Sequence, residues 1–109
     1  MVYSESLALR VRQVIGRRRG VTEKKMFGGV GFLLNGNMLV GVWKNSLIVR
    51  LGPEQATTAL RKSNVVEFDI TGKPMKGWVM VEPDGLESDQ QLHDWIEKAT
   101  EFVETLPTK

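Results

Sequence analysis

The chain has 109 residues, 41% hydrophobic and 26% charged, with no cysteine and a net charge of +2. That length fits one domain with a core of its own, residues 1–109, and is short for two. Disulfides, thiolate metal sites and a cysteine nucleophile are excluded. No apolar run reaches the ~18 residues of a membrane span, and MVYSESLALRVRQ carries arginines where a secretory signal has its apolar centre. The expectation is a cytoplasmic protein that does not engage membranes.

Ser4 caps a first helix with Leu7, Val11, Val14 and Ile15 on one stripe. Arg17, Arg18 and Arg19 suit the negative end of that helix, and Gly20 is the expected stop. Strands follow at about 26–34, 38–43 and 47–51. Asn35-Gly36 is the expected two-residue turn between the first two, since a type I′ turn needs positive φ at both central residues. Pro53 opens a short helix to about residue 62. Val66, Phe68 and Ile70 alternate with Glu67 and Asp69 in a fourth strand, and residues 78–82 form a fifth. Ser88 and Gln91 read as a capping box for a last helix carrying Leu92, Trp95, Ile96, Ala99, Phe102, Val103 and Leu106 on one face. The fold class is α+β: two layers, an antiparallel five-stranded sheet, and the order α-βββ-α-ββ-α.

The glycines of KKMFGGVGFLLNGNM decide between a phosphate loop and a hairpin. Neither the P-loop nor the dinucleotide spacing is present, and a strand follows the glycines where those motifs need a helix. Counted outward from Asn35-Gly36, the hairpin pairs Leu34 with Asn37, Leu33 with Met38, Phe32 with Leu39, Gly31 with Val40 and Gly28 with Trp43. One face then holds Val30, Phe32, Leu39 and Trp43, and the other Leu33, Met38, Val40 and Val42. Helices cover only one side of a two-layer sheet, so an apolar face is left open, the usual mark of an interface. Self-association through that face is the expectation.

Catalytic groups are sparse. His93 is the sole histidine and lies on the polar side of the last helix, between Asp89 and Glu97. Without cysteine it cannot support a structural zinc site, and Ser4 and Ser88 are helix caps. No cofactor is implied. Glu67 and Asp69, with Arg50, could form a carboxylate site for a small molecule or an enzyme; the alternative is a solvated strand face. Lys73 and Lys76 form a basic turn, and Trp43, Trp78 and Trp95 fall within apolar patterns.

Charge is unevenly spread. Residues 1–25 carry seven Lys/Arg against Glu5 and Glu23, and residues 83–109 carry seven Asp/Glu against Lys98 and Lys109. The basic head (Arg10, Arg12, Arg17, Arg18, Arg19, Lys24 and Lys25) is a candidate nucleic-acid surface. The competing expectation places the first and last helices side by side, where their charges cancel.

The blocks VTEKKMFGGVGF (21–32), NGNM (35–38), LIVRLGP (47–53) and FDITGKPMKGW (68–78) resemble the N-terminal domain of the TfoX/Sxy family, and the likeness extends from about Tyr3 to Pro107. The resemblance implies the same α-βββ-α-ββ-α fold. It also implies an accessory regulator of transcription, associated with competence, and no catalytic residues. Full-length members carry a second, C-terminal domain, and the expectation here is the N-terminal domain standing alone. The matching Met26, Phe27, Gly28, Gly29, Gly77 and Trp78 are implied fold determinants. Met26, Phe27 and Trp78, with Trp43 and Met75, form the candidate interaction surface. The leading reading is a non-catalytic module acting through protein–protein contacts, as a homodimer or with another protein. Nucleic-acid binding and a carboxylate-based site are the alternatives.

Overall fold

A computed structural model of the protein describes residues 3–16, 18–26, 28–69 and 75–108. Three helices, α1 (Glu5–Ile15), α2 (Pro53–Ala59) and α3 (Asp89–Val103), accompany six strands: β1 (Val21–Met26), β2 (Gly29–Leu34), β3 (Asn37–Trp43), β4 (Ser46–Arg50), β5 (Val65–Glu67) and β6 (Trp78–Val81). The strands form one antiparallel sheet in the order β1-β2-β3-β4-β6-β5. The α+β class therefore holds with six strands in place of five.

The extra strand is β1, the polar stretch VTEKKM. It lies on the sheet edge and pairs from Val21↔Leu34 to Met26↔Gly29. Lysines on an edge strand discourage pairing with another chain, which is why this strand lacks the apolar alternation of its neighbours. The first helix also ends earlier than expected. Gly16, at φ 60°, donates its N–H to the Arg12 carbonyl at 2.9 Å and closes the helix. Gly20, at φ 83°, belongs to the turn entering β1. The run of arginines thus follows the helix instead of ending it. The second helix stops at Ala59, short of residue 62.

The β2–β3 hairpin begins as expected, with Leu34↔Asn37 and Leu33↔Met38, and then slips by one residue. Beyond a bulge the pairs are Phe32↔Val40, Gly31↔Gly41 and Val30↔Val42. The single extra residue, Leu39, turns inward along with Val40, and both are fully buried. The expected division of faces is thereby corrected. Val30, Phe32, Leu39, Val40 and Val42 join the core, and Trp43 moves to the side of Leu33 and Met38. The expected pairings of Gly31 with Val40 and of Gly28 with Trp43 are not formed.

One apolar cluster fuses the two layers. Leu7, Ala8 and Val11 of α1, Ala56 and Ala59 of α2, and Leu92, Ile96, Ala99 and Val103 of α3 meet Val30, Phe32, Val42, Leu47, Val49, Val79 and Val81 of the sheet. Burial of each large side chain contributes about 1.5–3 kcal/mol. The Ser88 hydroxyl accepts from Gln91 N at 3.1 Å while Ser88 N donates to Gln91 Oε1 at 2.9 Å, so the expected capping box starts α3.

Asn37 ties the hairpin to the C-terminal segment. Although only 3% exposed, it donates Nδ2 to the Pro107 carbonyl at 2.9 Å. Asn37→Ala is expected to lower unfolding free energy by about 1–2 kcal/mol, measured by urea denaturation. Faster amide exchange at Thr105 and Leu106 should accompany the loss.

Candidate interaction surface

Strand alternation places every second residue of each strand on the helix-free side of the sheet, and paired residues share a side. The paired register runs straight across it as Lys24, Gly31, Gly41, Ile48, Met80 and Val66, one residue per strand. Leu33 and Met38 pair beside this row at one end and Trp43 pairs with Ser46 at the other. Leu33, Met38, Trp43 and Met80 are half-buried, and Val66 is 36% exposed. Ile48 is 4% exposed although no helix covers it. The ε-methyl of Met38 lies across bare Gly41, the residue paired with Ile48. Charge enters this face at the rim, through Lys24 and Arg50.

The expected interaction residues divide into two places. Trp43 stands on the open face, with the Lys44 ammonium 4.6 Å from its ring centroid, a cation–π contact. Met26 pairs through its backbone with Gly29 at the end of β1. Phe27 lies outside the described residues. Trp78 and Met75 sit apart, in a cleft of about 280 Å³ with Pro53, Ala56, Leu60 and Glu67. Trp78 packs against Phe68 at 6.0 Å between centroids, and the Arg50 guanidinium is 5.2 Å from Trp78 and 5.9 Å from Phe102. Arg50 is thus occupied by aromatic rings at the end of the sheet.

Ile48, Met80 and Val66 are the residues of this face that sequence reasoning missed. Their signal was present: Leu47-Ile48-Val49 and Val79-Met80-Val81 are apolar at both parities, as strands with two dry faces are.

Three cations of the basic head are tied down. Arg10 donates to the Leu86 carbonyl at 2.8 Å and reaches Asp89 at 3.4 Å. Arg12 forms a two-pronged pair with Glu23 at 2.6 and 3.1 Å, which raises its pKa above the usual arginine value. Arg18 meets Glu97 at 3.3 Å. Helices α1 and α3 pack together, and the expected charge cancellation between first and last helices is made there by Arg10–Asp89, with Arg18, just past α1, adding Glu97. Each exposed pair contributes at most about 1 kcal/mol. Arg19, Lys24 and Lys25 are exposed, and Arg17 lies outside the described residues.

His93 is 51% exposed on α3, 3.8 Å from both Asp94 and Glu97, as expected of a surface histidine. Glu67 is exposed beside the Trp78 cleft, and Asp69 is exposed just past β5; Ile70 and Lys73 are outside the described residues. Among the described residues no three of His, Asp and Glu stand close enough to share a metal ion. No described helix is long and apolar enough to cross a membrane.

The sequence blocks that carry the family resemblance converge in space. Gly77 of the KGW block accepts hydrogen bonds at its carbonyl from Leu51 N (2.8 Å) and Gly52 N (3.0 Å) of the LGP block. No curated protein and no solved structure matches the chain. The family model described as the TfoX N-terminal domain matches residues 13–103, from the second half of α1 to the last residue of α3. The chain belongs to the TfoX N-terminal domain family.

Proposed function

We propose that this protein is a non-catalytic interaction module that docks on a second copy of itself through the helix-free face of its sheet. Its biological part is then that of an accessory regulator, as the family resemblance implies. The observation that carries the reading is the open row from Gly31 to Val66, flanked by Leu33, Met38 and Trp43. Six strands spaced about 4.8 Å apart give this face a width of about 24 Å. An apolar sheet face that no helix covers marks interaction surfaces more often than bare solvent contact. Methionines adapt to the partner they meet. Charges confined to the rim favour an apolar copy of the same surface over a charged partner. The nucleic-acid reading draws less support, because Arg10, Arg12 and Arg18 already hold carboxylates. A catalytic reading is disfavoured by Arg50, which rests against aromatic rings instead of facing Glu67 and Asp69.

Sedimentation equilibrium tests the proposal. The wild type is expected to be dimeric at about 50 µM, and Leu33→Glu and Met80→Glu should shift dissociation at least tenfold toward monomer. Both sites are half-buried, so folding should persist, with melting temperatures within a few degrees of wild type. A monomeric wild type at that concentration, or variants that dimerise equally well, would overturn it.

A further inference from the structure

A second cleft, on the helix side of the molecule and independent of the docking face, has a volume of about 440 Å³. Its walls are the turn Lys62–Asn64 after α2, Gly85, and one side of α3 carrying Gln91, Asp94, Trp95 and Lys98. The α3 residues recur at three-, four- and seven-residue spacings, which align them on one face of the helix.

The cations in this cleft are arranged unusually. The Lys62 ammonium is 5.2 Å and the Lys98 ammonium 5.1 Å from the centroid of the same Trp95 ring, itself 8% exposed. Among the described residues neither ammonium lies within ion-pair distance of a carboxylate. Asp94 and Glu101 act on Lys98 only through space. The Asp94 carboxylate accepts from Gln90 Nε2 at 2.8 Å, so part of its capacity is already engaged. Interaction with Lys62, and then burial, hold the Lys98 ammonium below the ordinary lysine pKa. Two like charges sharing one ring repel each other, and an anion between them converts that repulsion into attraction.

Neutral donors surround the pair. Gln91 spends its amide oxygen on the Ser88 N–H and hydroxyl (2.9 and 3.2 Å), which leaves its NH2 group to face another acceptor. Ser63 and Asn64 complete the wall. We infer that this cleft binds a phosphate monoester, its dianionic oxygens held between Lys62 and Lys98 and its organic part in the remaining volume. Each lysine would meet the phosphate as a mobile point charge. The lysines already lie against Trp95, so recognition rests on the phosphate and does not require a stacked base.

The test is a heteronuclear NMR titration of the whole chain with inorganic phosphate and with glycerol phosphate, at constant ionic strength set by chloride. Saturable shifts are expected at residues 62–65, Gln91, Lys98 and the Trp95 indole N–H, with a midpoint of about 1 mM. The Lys98 ammonium should titrate at higher pH when phosphate is bound. Lys62→Gln and Lys98→Gln should each weaken binding about tenfold, and Lys98→Arg should retain most of it. Absence of saturation, or an unchanged midpoint in the double glutamine variant, would overturn the inference. A parallel arm uses a short single-stranded oligonucleotide. Shifts at these residues with the oligonucleotide and none with either phosphate would assign the cleft to a phosphodiester backbone and overturn the monoester.

Discussion

Gly29→Ala is expected to destabilise the protein by about 3 kcal/mol or more, seen as a fall in melting temperature of roughly 10–20 °C. A Cβ built at Gly29 stands 2.2 Å from the Val42 carbonyl oxygen, 3.2 Å from its carbon and 3.4 Å from the Trp43 Cα. All three neighbours are main chain, so no rotamer change makes room. Strand β3 must move away from β2, or the β1–β2 connection must shift, and either loosens the middle of the sheet. Replacing glycine also restricts the unfolded chain, a gain of about 0.4–1 kcal/mol that the clash must exceed. Gly41→Ala is the control. There the nearest atom is the flexible Met38 ε-methyl at 2.9 Å, followed by the Val30 carbonyl oxygen at 3.3 Å. A loss of about 1 kcal/mol or less is expected, because Met38 can swing aside. Equal losses at the two sites, measured by urea denaturation, would refute close backbone approach as the reason for glycine at position 29.

The same hairpin shows where sequence reasoning stops. The turn at Asn35-Gly36 and the first two pairs were legible, because turn chemistry fixes register locally. The bulge was not. Its extra residue, Leu39, is flanked by apolar Met38 and Val40, so inserting one residue leaves the hydrophobic pattern looking continuous. A polar residue at any of the three would have exposed the slip. β1 was hidden for the opposite reason. An edge strand with lysines on it has little apolar periodicity to detect, and its signal was the spacing of Met26 and Gly29 about a glycine-bearing connection.

The start of helix α3 was legible to the residue, since a capping box and a continuous stripe agree there, while the helix ends at Val103, short of the expected Leu106. The open face was anticipated in kind, although its membership changed when Trp43 exchanged sides with Val40 and Val42. Counting parity from one turn propagates any single-residue error to every residue beyond it. The cleft around Trp95 was not legible at all. Lys62 and Lys98 are separated by most of the second half of the chain, and only the packing of the α2–β5 turn against α3 brings them to one ring.

The second large effect is expected at Gly52, where the joining of two distant sequence blocks can be tested directly. Gly52 has φ 86° and ψ 159°, a region open essentially to glycine alone. A Cβ there falls 2.6 Å from both Cδ1 and Cε1 of the Phe102 ring. Gly52→Ala is therefore expected to cost about 2–4 kcal/mol, of which about 1–3 kcal/mol is backbone strain. The local consequence follows from the hydrogen bonds: Gly52 N donates to Gly77 O, and Gly52 O accepts from Ala56 N at 2.9 Å. Displacing Gly52 should fray the start of α2 and speed amide exchange at Ala56. Phe102 is half-buried and its ring can retreat, so a double-mutant cycle with Phe102→Leu separates the two causes. The cycle should recover about 1 kcal/mol from relief of the clash and leave the strain in place. A Gly52→Ala loss below about 0.5 kcal/mol would show that the chain can pass this point in an ordinary conformation. The Gly77 carbonyl would then have no special part in joining the end of β4 to the start of β6.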